Sequence, residues 1–196
     1  MSEIVFRYVD DRIGELALRP LDPARDVDML HSWFVDPKCE YWGLRDSTVE
    51  DVRLRCEEIA ASPTHDDFIG LHNGAPALLY ERYVPSSELG PDVYTPLPGD
   101  VGCHFLAAPT TAPVRGFTAV AIRTMFEFLF SDPATDRVIG EPDVRHSAML
   151  ALVLRYGTVV EREVVLPTKT AYLCSTTREH FHTAVNALPG GSRRSR

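Results

Sequence analysis

The chain has 196 residues, 44% of them hydrophobic and 24% charged, with a formal net charge of −8. That is enough apolar material for one compact domain, and too balanced a composition for wholesale disorder. The acidic balance argues against a nucleic-acid partner, which would need clustered Lys and Arg, but leaves room for a small basic site that takes an anionic ligand.

In chain order, MSEIVFRYVD lacks the basic and apolar regions of a signal peptide, and no apolar run is long enough to span a membrane. Residues 4–9 and 15–21 alternate apolar and polar character around Asp10–Gly14, which predicts a hairpin. Pro23–Asp36 has helical spacing, with Asp22 as N-cap and Pro37 as the stop. A second helix is expected from about Ser47, with Glu50 closing a capping box, to Ala61. Asn73-Gly74 marks a tight hairpin between strands 68–72 and 76–84. A Pro-rich loop over 85–99 leads to a strand, Asp100–Ala107. Then come a helix over 114–130, a short strand over 136–140 and a helix over 145–156 with Gly157 as its stop. Two strands, 159–166 and 170–175, and a helix over 177–187 complete an α/β (α+β) chain with a mixed central sheet. The expected domain spans residues 1–189. Residues 190–196 (GGSRRSR) are expected to be a disordered tail. Cys39, Cys56, Cys103 and Cys174 show neither C-x-x-C nor zinc-ligand spacing, so a reducing, cytoplasmic setting and no metal are expected.

Three blocks carry the chemistry. GDVGCHFLAAP is a strand with His104 in it. PVRGFT opens a helix, where unpaired amides, Gly116 and Arg115 could cradle a pyrophosphate or form only a turn. RVIGEPD ends a strand in carboxylates around Pro142, a residue that cannot donate to a sheet ladder. Asp143 could handle protons with His104, or merely cap the next helix.

Together with LPTKTAYL and TTREHF, these blocks resemble the siderophore-synthesis N-acyltransferases of the GNAT superfamily, from about Val5 to about Ala187. The likeness is to the desferrioxamine and aerobactin types. It implies a single GNAT-type domain whose two middle strands splay to admit the pantetheine arm of acetyl-CoA or succinyl-CoA. By that resemblance Leu106, Ala107 and Ala108 pair with pantetheine, and Arg115, Gly116, Phe117 and Thr118 meet the pyrophosphate. His104 and Asp143 match the catalytic pair, with Asp143 expected to be a modest base and His104 to orient the N–OH group of the acceptor or shuttle its proton. Trp42 would line the acceptor side. The acceptor is expected to be a small hydroxylamine or amine, and the protein a monomer or homodimer without a nucleic-acid or membrane partner.

Two positions depart from the family pattern. His146 stands where an asparagine is usual, near the expected cofactor arm; it could handle protons or be a tolerated surface change. Where many relatives carry a tyrosine as acid for the leaving thiolate, this chain has Val153, with Tyr156 three residues later as an ordinary helix-end residue or a substitute acid. Lys169 could meet an anionic group or lie solvated in a hairpin. His180 and His182, two apart on a helix, do not share a face.

Overall fold

The computed structural model describes residues 3–188, so the expected tail at 190–196 lies outside the described residues. Eight strands form one mixed sheet in the order β1-β2-β3-β4-β5-β6-β8-β7. They are β1 (Phe6–Asp10), β2 (Gly14–Pro20), β3 (His65–His72), β4 (Ala75–Tyr83), β5 (Asp100–Ala107), β6 (Arg137–Gly140), β7 (Val159–Val165) and β8 (Thr170–Thr177). The helices are α1 (Pro23–Phe34), α2 (Val49–Ala61), α3 (Pro85–Glu88), α4 (Phe117–Leu129), α5 (Ser147–Leu154) and α6 (Arg178–Ala187). The chain divides into two compact units, one running to Arg82 and adding His104–Phe117, the other comprising Tyr83–Cys103 and the chain from Thr118 onward.

In the first unit, β1 to β3 form an antiparallel meander. Strand alternation puts His65, Asp67, Ile69 and Leu71 of β3 on one face. By the same alternation Leu79 and Glu81 share a face of β4, and His104 and Leu106 a face of β5. At one end of these strands Ile69, Leu79 and Leu106 form a core with Val27, Leu30, Trp33 and Phe34 of α1 and Val52 and Cys56 of α2. Helix α1 starts as expected: the Asp22 carboxylate accepts from the Ala24 amide, and Pro23 occupies the first turn. Asp26 is buried within it because Arg19 of β2 meets it with two bonds of 2.7 Å. Helix α2 has its capping box one residue later than expected, on Thr48 and Asp51.

The Asn73-Gly74 turn braces two hairpins at once. Asn73 has φ 50° and Gly74 φ 87°, the left-handed pair a two-residue loop demands. The Asn73 Oδ1 accepts from the Glu15 amide at 2.9 Å, and its Nδ2 donates to the Ile13 carbonyl at 3.2 Å. A β-carbon on Gly14 would stand 2.3 Å from that Oδ1.

In the second unit, β5 pairs in parallel with β6 from Asp100↔Arg137 to Gly102↔Ile139, and β8 lies antiparallel to β6 and β7. Leu89, Tyr94, Ile139, Val164, Ala171 and Leu173 pack together. Arg137 meets the Asp100 carboxylate with Nε at 2.8 Å and Nη2 at 2.9 Å, and the Tyr94 hydroxyl donates to the same carboxylate. The expected loop over 85–99 is therefore pinned through Tyr94, and it contains the short helix α3. Helix α4 begins at Phe117, later than the expected 114, because Gly116 has φ 84° and a helix cannot include it. Helix α5 is likewise shorter than the expected 145–156; it starts after His146, whose backbone is non-helical.

Candidate active site

In the first unit the polar end of the β3–β5 face gathers four ionisable side chains under one arginine. Glu81 is 1% exposed. Its Oε2 lies 2.7 Å from His104 Nδ1, and its Oε1 accepts from Arg55 of α2 at 2.8 Å. Burial alone would raise the Glu81 carboxyl, but the bonds from His104 and Arg55 outweigh it and hold the group below the ordinary range. His65 Nε2 stands 3.5 Å from Asp67 Oδ1 and 3.8 Å from Glu81 Oε2. Burial pushes the Asp67 carboxyl up, against the pull of His65.

His104 itself is only partly buried, with 30% of its side chain exposed. The Trp42 ring meets it edge-on, with centroids 6.2 Å apart at 71°, and leans on Phe34 at 5.4 Å. Trp42 closes a 3-10 turn, Pro37–Trp42, which ends at Gly43 with φ 69°. Lys38 of the same turn and its N-cap Asp36 line an open recess of about 370 Å³, completed by Pro109, Thr110 and Thr111. Leu106 points into the core, and the Ala108 amide donates to the Ala77 carbonyl at 2.9 Å. Arg115 and Gly116 are exposed, while Phe117 is half-buried with its ring 5.1 Å from that of His72.

The second unit holds the other expected residues. Asp143 is buried and clasped by its near neighbour Arg145, whose amide, Nε and Nη2 donate at 2.8, 2.9 and 2.6 Å. The Arg145 guanidinium holds the Asp143 carboxyl at about 2, well below the usual range, and Lys169 adds to the pull. Asp143 does not cap α5; the N-cap is His146, whose amide donates to the Asp143 carbonyl at 2.9 Å. Lys169 sits in the β7–β8 turn, where its carbonyl accepts from the Leu166 amide. Tyr156 is buried, and its hydroxyl donates to the Ala119 carbonyl at 2.7 Å. Thr118 lies in the first turn of α4. The structure thus groups Trp42 with His104 in one unit, and Asp143 with His146 and Lys169 in the other.

Sequence reasoning missed Glu81 and Arg55. A lone glutamate in the apolar strand text PALLYERY was the available signal, since a charge at a core-facing strand position needs a partner. His65, Asp67 and Glu81 could offer three metal-ligating atoms within 4.8 Å of one another. Both Glu81 oxygens are already engaged, however, and Arg55 balances the charge without a cation. All four cysteines are unbridged. Among the described residues no helix is long and apolar enough to cross a membrane.

A family profile described as Acetyltransferase (GNAT) domain matches residues 22–166. The chain is 24% identical over 180 residues to SAT14 of Stachybotrys chartarum, a protein named for O-acetyl transfer, covering 89% of this chain and 38% of that protein. It is 23% identical over 182 residues to a Schizosaccharomyces pombe protein named for lysine N-acyl transfer, C17G9.06c, covering 92% and 54%. The chain therefore spans between 38% and 54% of the length of these relatives. Among solved structures, the protein bh2621 of Bacillus halodurans superposes with a TM-score of 0.85 at 25% identity, over 91% of this chain and 93% of that one. AAC(6')-Ib in complex with ribostamycin and coenzyme A superposes with a TM-score of 0.74 at 23% identity, over 85% and 95%, and shares the fold.

Proposed function

Because this chain belongs to the GNAT acetyltransferase domain family, we propose that it moves an acyl group from acyl-CoA to the nitrogen of a small hydroxylamine, forming a hydroxamate. The acceptor class is an N-hydroxydiamine or N6-hydroxylysine, and the acyl group acetyl or succinyl. The observation that carries this reading is the partly exposed His104, edge-on to Trp42, two residues before the Leu106–Ala108 segment.

A thioester carbonyl is already electrophilic, so the protein has mainly to place the acceptor and handle one proton. A primary amine with a reference pKa near ~10.4 arrives protonated, whereas an alkylhydroxylamine is a weaker base and arrives neutral. Its nitrogen attacks the carbonyl carbon, the N–C bond forms, and the C–S bond breaks. His104 takes the proton from that nitrogen, and the departing thiolate recovers a proton from the imidazolium or from water. The sequence favoured Asp143 as base. A carboxyl held at about 2 is a feeble base at neutral pH, which supports giving that role to His104 and leaving Asp143 as an anionic hydrogen-bond acceptor.

For the co-substrate, the Ala108 amide is spent on Ala77, so the strand alternation makes Ala107 the residue whose backbone is available to pantetheine on the other edge. The amides of Arg115, Gly116, Phe117 and Thr118 at the start of α4 suit a pyrophosphate, with Arg115 exposed to add charge. His146, at the start of α5 where the family pattern has an asparagine near the cofactor arm, is a further cofactor contact, and Lys169 a contact for an anionic acceptor group.

A second reading is acylation of an ordinary amine. It is favoured by the relative named for lysine N-acyl transfer and by the fold shared with an aminoglycoside-bound protein. Free-thiol release from acetyl-CoA separates the two, measured with N-hydroxycadaverine and N6-hydroxylysine against cadaverine and lysine. Release driven by the hydroxylamines and lost in His104→Asn supports the first reading. Release with the plain amines alone supports the second, and release unaffected by His104→Asn removes His104 from the mechanism.

A further inference from the structure

We propose that Glu81, anchored from behind by Arg55, is a positioning residue that fixes the His104 ring with its proton on Nδ1 and its basic lone pair on Nε2. This rests on the reading of His104 as the base, and it assigns a function to two residues outside the sequence blocks that carry the resemblance.

An ionised carboxylate can only accept hydrogen bonds, so the His104 nitrogen 2.7 Å from Glu81 Oε2 must be the one that carries hydrogen. The neutral ring then has its lone pair on Nε2, where a proton from an acceptor nitrogen can land. Rotation of the carboxylate is blocked from the other side, since Oε1 is committed to Arg55 Nη2 at 2.8 Å. Arg55 also explains how Glu81 stays an anion while fully enclosed: its guanidinium, 38% exposed, brings compensating charge from the solvent side of α2. The other ionisable groups facing Glu81 are His65 and Asp67 of β3. His65 Nε2, at 3.8 Å, is beyond hydrogen-bond reach of Oε2, so among the described residues His104 is the partner that holds that oxygen at short range. The geometry comes from two strands and one helix rather than a loop, which suits a group that must be held in one orientation.

When His104 accepts a proton, the adjacent carboxylate stabilises the imidazolium; when it gives the proton up, the same bond keeps the ring in register. Removing the carboxylate should lower the proton affinity of the ring. Removing Arg55 should raise it, because Glu81 would then be less compensated. These opposite directions distinguish positioning from a merely structural role.

The test uses 15N-histidine NMR and pH–rate profiles on the full chain as wild type, Glu81→Gln, Arg55→Gln and His104→Asn. The expected wild-type spectrum shows the Nδ1–H tautomer at His104. In Glu81→Gln, kcat is expected to fall about tenfold or more with KM for acetyl-CoA unchanged, and the acid limb of kcat/KM to move to lower pH. In Arg55→Gln that limb is expected to move to higher pH. If Glu81→Gln does not fold, the wild-type tautomer and the Arg55→Gln shift decide. An Nε2–H tautomer in the wild type, or a His104 titration unmoved in the folded variants, would overturn the proposal. Shifts as expected combined with full turnover by His104→Asn would instead overturn the base reading while leaving the Glu81–His104 coupling demonstrated.

Discussion

The ring of Tyr83 lies directly over Gly102: a β-carbon built at position 102 would stand 2.1 Å from Tyr83 Cε2. The ring cannot simply move aside, since it is buried and its hydroxyl donates to the buried Glu141 carboxylate at 2.8 Å. The second glycine of GDVGCHF is thus there to let an aromatic ring cross the strand. Gly102→Ala is expected to destabilise the protein by about 1–3 kcal/mol through overpacking. Urea denaturation would measure it, and Tyr83→Phe would show how much of the loss passes through the bond to Glu141.

The Asp143–Arg145 clasp has a consequence at low pH. The folded Asp143 carboxyl sits at about 2, below its unfolded value, so its contribution to stability is present above about pH 4 and disappears as the pH falls through about 2. Arg145→Ala is expected to return the Asp143 titration toward ~3.9, readable by carboxyl NMR. With His104 as the proposed base, the acid limb of kcat/KM should be the same in this variant; a limb that moved with Asp143 would reassign the base.

Asp26 is the clearest stability site. Its carboxylate and the Arg19 guanidinium are both almost wholly enclosed, with side chains 3% and 8% exposed. Asp26→Ala would strand a buried arginine and is expected to cost about 3–5 kcal/mol. Chemical denaturation would measure this, and a loss under 1 kcal/mol would mean that water reaches Arg19.

With the acceptor placed beside His104 as proposed, Trp42 offers a test of acceptor binding separate from chemistry. Trp42→Ala removes the aromatic edge beside His104, and KM for the acceptor is expected to rise about tenfold with KM for acetyl-CoA unchanged. Equal effects on both substrates would place Trp42 in general folding instead.

What could be read in the sequence was what neighbouring residues decide. Strand β5 was legible to its ends, as were the Asp22-Pro23 start of α1 and the Asn73-Gly74 turn, because caps, prolines and turn glycines act within a few residues. The start of α4 was misplaced by three residues because the left-handed conformation of Gly116 is a backbone fact that composition does not show. Glu81 was invisible for a different reason. Its meaning depends on the register of β4 between β3 and β5 and on a helix 26 residues earlier. Arg145 was local, two residues from Asp143, and could have been weighed as a clamp on its charge.

The double duty of Asn73 bears on how this protein ages. Asn-Gly is the dipeptide most open to deamidation, since glycine puts no side chain in the way of succinimide closure. In the fold the Asn73 amide is tethered at both ends, to the Glu15 amide and the Ile13 carbonyl, which holds it back from the Gly74 nitrogen. Unfolding releases the tether, and an aspartate formed there would bring a carboxylate oxygen against the Ile13 carbonyl on refolding. Each excursion to the unfolded state therefore carries a chance of permanent damage to two hairpins, and a gain of one mass unit in the peptide containing Asn73 would record how often the chain has come apart.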